Sequence, residues 1–395
     1  MIASMDGGGS ERQTLLLLRH LSRERFAPEL LVLRRGGSLY NEIPDDVPVH
    51  SLEESLPSFR IPWPGRIHRA QVASLEKILR DREIDVIYDR TFHMSLIAGP
   101  AAARLRVPRV STIVSPPSRA VPQNAGRFVK IKRRRLAKAY TDAAKVIAVS
   151  HPTASDARLF YGLKPQQICA IPNPVDADEL ASVIAAAEQP ARDDRYTIAC
   201  VGRMTQEKGQ ACLIHALAAL AKIDPSFSIP HVWMVGDGPM RSELESMCQG
   251  YGLQSSIEFV GHVTQPAPWI AAADALCLPS SFEGFPNVML EAMALGTPVI
   301  ASDIEVVRSL GRVSHEAEYR GRDCVLTFRS GDAAHLARKI RRLRLNPTGT
   351  RSRTTAAHDL AHHVHSIKAI VPRIESIMLK AARAKNGLPP SDHGH

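Results

Sequence analysis

The sequence predicts an α/β protein built from two doubly wound parallel sheets, and three observations carry that expectation. Short, almost continuously apolar runs rich in β-branched residues alternate with longer segments of helical spacing. The alternation fills the first 180 residues and restarts after residue 195. Between the halves, residues 176–195 are alanine-rich and broken at Gln189-Pro190, which suits a helix followed by a linker.

In the first half, strands are expected at 29–34, 85–88, 109–114, 145–150 and 167–171, and helices at 10–24, 66–82, 92–105 and 127–140. In the second half, strands are expected at 196–201, 231–235, 257–260, 275–278, 298–301 and 324–328, with helices between them. Strands apolar along their whole length belong in a parallel sheet covered on both faces. Such a domain normally opens with a buried strand. Here only residues 1–4 precede the turn Asp6-Gly7-Gly8-Gly9-Ser10, so the first strand is either short or missing. Residues 351–380 have helical spacing, and 386–395 read as a disordered tail.

The 395 residues carry a formal charge of +10, with 44% hydrophobic and 23% charged residues. That balance excludes a disordered chain, a collagen and a coiled coil. No apolar run approaches the roughly 18 residues that span a bilayer. Residues 1–10 lack a basic and apolar leader, so a cytoplasmic location is expected. Six scattered cysteines without a Cys-x-x-Cys pair read as reduced core residues. Of His358, His362, His363 and His365 only the 358/362 pair has helical spacing and no acidic partner stands out, so no metal is assigned. Aromatic residues make up only 5% and no recognition module is visible, which argues against nucleic-acid binding.

The most informative stretch is Pro279-Ser280-Ser281-Phe282-Glu283-Gly284-Phe285-Pro286-Asn287-Val288-Met289-Leu290-Glu291, closed by Gly296. A strand ends near Ser280, a tight loop follows, and a helix begins at Pro286 or Asn287 and stops at Gly296. Loops at the carboxyl edge of such a sheet bind ligands, and a helix N-terminus favours anionic oxygens. Glu283 in the loop and Glu291 eight positions on, in the helix, can each accept hydrogen bonds from sugar hydroxyls. A second ligand-edge loop, Gly202-Arg203-Met204-Thr205-Gln206-Glu207-Lys208-Gly209, offers two cations five positions apart. Arginine grips phosphate bidentately and lysine adds a point charge. Gly236-Asp237-Gly238 is no dinucleotide fingerprint, because Arg241 stands where the third glycine is required.

Together these segments, with Val235-Gly236-Asp237-Gly238-Pro239, Phe259-Val260-Gly261 and Ile171-Pro172-Asn173-Pro174-Val175-Asp176, resemble the retaining glycosyltransferases of sequence family 4. The resemblance is strong over residues 140–305 and weaker over 1–140. It implies the GT-B fold, two Rossmann-like domains facing across a cleft. The implied plan is an acceptor domain at 1–180, a nucleotide-sugar donor domain at 190–345, a C-terminal helix at 351–385 returning to the first domain, and the tail. It implies that Arg203 and Lys208 hold the donor diphosphate, that Glu291 binds the ribose, and that Glu283 approaches the transferred sugar. Gly284, Phe285, Pro286, Asn287 and Gly202 would contact the donor, and the turn through Gly8 and Gly9, with Ser10 and Glu11, would close over the diphosphate. The implied substrates are a nucleotide sugar, read as UDP-linked, and a glycan or glycolipid acceptor, with no cofactor and no metal. The family often has a histidine after the strand at 109–114, where this chain has Ser115-Pro116-Pro117; His93 is the nearest substitute. An inactive scaffold of this fold and an enzyme with a soluble acceptor are the rival readings.

The run Arg127-Phe128-Val129-Lys130-Ile131-Lys132-Arg133-Arg134-Arg135-Leu136-Ala137-Lys138 carries seven positive charges and no acid. It reads equally as a surface for anionic lipid headgroups, placing the protein at the inner face of the cell membrane, or as a solvated helix face. Residues 1–180 hold 27 basic and 19 acidic residues, 181–340 hold 13 and 18, and 341–395 hold 10 and 3. With the last segment returned to the first domain, the positive surplus would lie on the acceptor side.

Overall fold

The computed structural model describes residues 1–55, 65–125, 128–224, 227–311 and 323–385. In chain order the first elements are α1 (Gly9–His20), β1 (Leu30–Val32), β2 (Val49–Ser51), α2 (Arg66–Asp81), β3 (Ile87–Arg90) and α3 (Phe92–Leu105). Next come β4 (Arg109–Ile113), α4 (Pro117–Ala125), α5 (Val129–Thr141), β5 (Lys145–Ala148), α6 (His151–Tyr161), β6 (Ile168–Ala170) and α7 (Ala177–Ala186). The second half holds β7 (Thr197–Val201), α8 (Gln210–Ile223), β8 (His231–Val235), α9 (Arg241–Gly250), β9 (Ile257–Gly261), α10 (Ala267–Ala272) and β10 (Ala275–Leu278). It continues with α11 (Asn287–Ala294), β11 (Val299–Ser302), α12 (Glu305–Gly311), β12 (Leu326–Phe328), α13 (Ala333–Leu345), α14 (Pro347–His363) and α15 (Ile367–Lys385). The chain forms two compact units, one of residues 1–174 with 367–395, the other of 175–366.

In the first unit, β3-β4-β5-β6 form one parallel sheet and β1-β2 another. Residues 1–3 join them. Ile2 N–H donates to Leu31 O and Leu33 N–H to Ala3 O, while Arg90 N–H donates to Met1 O. Residues 1–3 therefore sit where the first strand of a doubly wound sheet belongs, with Ile2 and Met5 fully buried. Residues 1–3 thus supply hydrogen bonds that link the β1-β2 pair to β3. α15 covers this sheet, its Ile370, Val371, Ile374 and Met378 packing with Val110, Ile147 and Ile171.

In the second unit the order is β12-β11-β10-β7-β8-β9, all parallel. Counted from its own first strand this is 3-2-1-4-5-6 read from β9, with the reversal between β7 and β10. Its core joins Ile198, Met234, Ile300 and Phe328 from the strands to Leu213, Leu217, Leu336 and Ile340 from α8 and α13.

Two expected boundaries are corrected. Residues 351–385 are not one returning helix: α14 stays with the second unit and only α15 belongs to the first. The break falls where Val175 N–H donates to His365 O and Val175 bridges Ser366, pinning the chain before α15 begins. The same pairing moves the end of the first segment from residue 180 to 174, so α7, capped by Asp176 on Glu179 N–H at 3.0 Å, lies in the second unit. The expected disordered tail lies outside the described residues.

Candidate active site

The loops that follow β7 and β10 meet because those two strands are neighbours at the reversal of strand order. Close backbone packing fixes them. Gly209 adopts a φ of +68° and has the Pro279 carbonyl 2.2 Å from where a Cβ would stand, so both conformation and space demand glycine there. Gly236, at φ +134°, has the Gly202 carbonyl at 2.3 Å from its Cβ position. Met204, fully buried, exchanges backbone bonds with the 236–240 turn, donating to Asp237 O and accepting from Met240 N–H. Ser281 N–H donates to Glu207 O at 2.8 Å, tying the glutamate loop to the cation loop.

On this frame the sequence-predicted residues converge. Lys208 Nζ lies 2.6 Å from Glu283 Oε1, the two side chains being 28% and 10% exposed. The Ser280 hydroxyl donates to the same carboxylate oxygen at 2.8 Å. Ser280 is fully buried, so it holds the Glu283 carboxylate from beneath. Arg203 is exposed, and its carbonyl accepts from the buried Gln210 amide at 3.1 Å, which sets the course of the loop. α11 starts at Asn287 after Pro286 and is followed by Gly296 in the left-handed region, as expected. Asn287 and Glu291, one turn apart, are half-buried, whereas Met289, Leu290, Ala292 and Met293 turn inward. Gly284, Phe285 and Pro286 are buried, and the Phe285 ring stands 6.0 Å from that of His365.

The first unit has its own reversal, between residues 1–3 and β3. The turn Gly7-Gly8-Gly9 follows the first of these, Gly7 taking φ +94° and Gly8 capping α1. Burial pushes the Glu11 carboxyl above the ordinary glutamate range, against a hydrogen bond from its own backbone N–H. After β3 comes Thr91 at φ +76°, an uncommon conformation for a β-branched residue, and then His93 at the start of α3. Partial desolvation and the charge of Lys132 hold the His93 imidazole below the ordinary histidine value. Its ring lies 4.1 Å from Phe92. Arg90, 5% exposed, reaches Asn173 Oδ1 at 2.6 Å.

Sequence reasoning missed Ser280, Gln210 and Arg90. Ser280 had a signal, standing three residues before Glu283 across a tight turn. Among the described residues, no cluster of three His, Cys, Asp or Glu side chains is arranged to hold a metal. His358 and His362 stack at 4.0 Å, and His362 Nε2 contacts the Ala294 carbonyl at 3.0 Å. All six cysteines are free. Cys200 and Cys277 lie inside the second sheet, where burial pushes the Cys200 thiol up to about 12 and raises that of Cys277 too.

The basic run on α5 is partly committed to the fold. Arg133 donates to Phe160 O at 2.8 Å and lies over the Phe160 ring, and Lys138 pairs with Asp142 at 2.9 Å. Arg127 lies outside the described residues. Phe128 and Ile131 are 64% and 53% exposed. Among the described residues, no helix is long and apolar enough to cross a membrane.

Comparison with known proteins extends the picture. Residues 7–179 match the family described as Glycosyltransferase Family 4, and residues 195–346 match Glycosyl transferases group 1. The lipopolysaccharide core biosynthesis glycosyltransferase LpsD of Rhizobium meliloti is 27% identical over 343 residues, 86% of each chain. The N-acetylgalactosamine-N,N'-diacetylbacillosaminyl-diphospho-undecaprenol 4-alpha-N-acetylgalactosaminyltransferase of Campylobacter jejuni is 25% identical over 312 residues, 76% of this chain and 79% of that one. HepE of Anabaena, solved in complex with UDP, superposes with a TM-score of 0.74 at 20% identity, covering 96% of this chain and 99% of the other.

Proposed function

The chain belongs to the family 4, group 1 glycosyltransferases, and from that premise we propose that it moves a hexose or N-acetylhexosamine from a nucleotide sugar to a glycan acceptor with retention of configuration. It is a transferase of GT-B fold. The observation that carries the finer reading is the Lys208–Glu283 contact at the strand-order reversal. Arg203 and Lys208 bind the donor diphosphate. As the bond from the anomeric carbon to the leaving phosphate breaks, negative charge grows on the phosphate oxygen, and two preorganised cations stabilise it without a metal. Lys208 turns from Glu283 to the diphosphate, and Glu283, still held by Ser280, faces the sugar and its oxocarbenium-like centre. The acceptor hydroxyl attacks on the face that the phosphate leaves, and its proton passes to the departing phosphate oxygen. Glu291 takes the ribose hydroxyls, while Asn287 and the backbone at Gly284 and Phe285 take donor oxygens. The first unit receives the acceptor, with His93 as its candidate contact, while Gly8 and Gly9 are candidate donor contacts.

UDP is the first nucleotide to test, since HepE was solved with it. Thermal melting against UDP, GDP, ADP and their sugars is expected to show a gain with UDP compounds. By mass action, a ligand at a hundredfold excess over its Kd adds about 2.7 kcal/mol. A larger gain with GDP or ADP would replace the nucleotide, and a flat response to all would remove the donor assignment.

A cell-envelope acceptor is supported by LpsD, named for lipopolysaccharide core biosynthesis, and by the Campylobacter relative, named for an undecaprenol-linked substrate. Such acceptors sit in a membrane, and α5 fits one. Exposed Phe128 and Ile131 stand among Lys130, Lys132, Arg134 and Arg135, apolar anchors within a cationic face. Flotation with phosphatidylglycerol vesicles is expected for the wild type. It should fall at least tenfold when Lys132, Arg134 and Arg135 become Gln; equal flotation would leave α5 an ordinary solvated helix.

A further inference from the structure

The second unit is mildly acidic, 18 basic against 22 acidic residues over 175–366, yet its residues 338–353 hold seven basic residues and no acid. The C-terminal surplus was expected on the acceptor side; α13 and α14 keep this part of it in the second unit. Three of these cations have structural partners, Arg353 donating one N–H to the Gly349 carbonyl at 2.9 Å and keeping its other donors. Arg341 pairs with Asp224 at 3.0 Å, and Arg344 donates to Ser228 O while lying over the rings of Phe227 and Tyr196. Lys339 and Arg342, one turn apart on α13, point elsewhere. With Arg353 of α14 they line a cavity of about 150 Å³ beside β12, which stands at the margin of the sheet. A groove of about 680 Å³ adjoins it, sharing Arg353 and Asp323 and lined further by Thr348, Ser352 and Thr355.

Among the described residues, no carboxylate forms an ion pair with Lys339 or Arg342. Burial and then the neighbouring Arg342 and Arg353 hold the Lys339 ammonium below the ordinary lysine value, opposed only by the charge of Asp323. Arg308, also on the cavity wall, is already matched by Asp303 at 3.3 Å. Lys339, Arg342 and Arg353 line a small cavity whose wall also carries Asp303 and Asp323; with Asp303 matched by Arg308, the surplus positive charge beside a hydroxyl-lined groove suits an anion carried on a polyol. Like charges held together are unfavourable until such an anion arrives.

We propose that this cavity is a second ligand site, distinct from the donor loops, which binds the phosphate group of a phosphorylated sugar or polyol. Lys339, Arg342 and Arg353 grip the phosphate, and the groove holds the attached polyol. The phosphate could be soluble or belong to a lipid headgroup, and the test separates the two.

The full chain is melted in matched ionic strength of chloride, inorganic phosphate and glycerol phosphate. A saturable rise in Tm is expected with both phosphates over chloride, persisting in Lys208→Ala, whose donor loop is altered. Lys339→Gln/Arg342→Gln should melt at least as high as wild type in chloride, because repulsion is relieved, and should bind phosphate at least tenfold more weakly. Arg342→Gln alone, at an exposed position, gives the same reading if the double variant folds poorly. Stronger binding of glycerol phosphate, with flotation on phosphatidylglycerol vesicles unchanged by Arg342→Gln, identifies a soluble phosphoester. Vesicle flotation lowered by Arg342→Gln, with the cations of α5 intact, identifies a headgroup. No saturable rise, or an equal rise in the Lys339 and Arg342 variants, overturns the site.

Discussion

Lys208→Ala is expected to slow sugar transfer by about 100- to 1000-fold, the range seen when one preorganised donor to a developing oxyanion is removed. The effect follows from position. Lys208 sits on the turn Gln206–Lys208 immediately before α8, anchored by Gly209 against Pro279, so its ammonium needs little reorganisation to meet the leaving diphosphate. The loss should fall on kcat more than on the donor KM, because charge on the phosphate oxygen grows only as the bond breaks. Glu283→Gln should also lower kcat strongly. It keeps an acceptor for the Ser280 hydroxyl, so loss of shape is not the cause. Steady-state rates at saturating donor read both. A fall of less than tenfold for Lys208→Ala would mean that the leaving group is stabilised elsewhere.

The largest stability effect is expected far from that chemistry, at Asp89→Ala. Asp89 and Arg109 are 0% and 2% exposed, and Arg109 Nη1 lies 2.7 Å from Asp89 Oδ2. The Ser111 hydroxyl also donates to Asp89 Oδ2 at 2.7 Å, and Arg109 further donates to the Ala139 carbonyl. The network therefore ties β3 and β4 to α5 across the middle of the first unit. Removing the carboxylate strands a guanidinium in the interior, which costs about 3–5 kcal/mol when one partner of a buried pair is lost. Replacing both residues by apolar ones of similar volume is often neutral, so Asp89→Leu/Arg109→Met should recover most of the loss. Urea unfolding followed on the first unit measures both. A cost below about 1 kcal/mol for Asp89→Ala would contradict the burial of that charge.

Most strands were legible because a parallel strand covered on both faces is a continuous apolar run. Thus Val232, Trp233, Met234 and Val235 could be placed by inspection. β2 was not, since its three residues include His50 and follow a proline. The place of the N-terminal segment was unreadable for a different reason. Residues 1–3 are defined by partners at Leu31, Leu33 and Arg90, and such long-range pairing has no local signature. The split between α14 and α15 rests likewise on the Val175–Ser366 bridge. Arg203, Lys208, Glu283 and Glu291 were visible because each lies on or just beyond a loop that follows an evident strand. Their convergence was not visible, since it depends on β7 lying beside β10 rather than on any spacing along the chain. The misplaced charge of α13 and α14 has the same origin: composition counts cations without saying which unit they cover.

The central claim, that the loops after β7 and β10 with α11 form the nucleotide-sugar site, is tested most directly by melting three proteins with and without UDP and UDP-hexose: wild type, Lys208→Ala and Glu291→Ala. Wild type is expected to gain several degrees at saturating ligand; Glu291→Ala should lose most of that gain with both ligands, and Lys208→Ala most of it with UDP, whose terminal phosphate carries the full charge, while both melt near wild type alone. A ligand-induced gain in both variants equal to that of wild type would contradict the assignment.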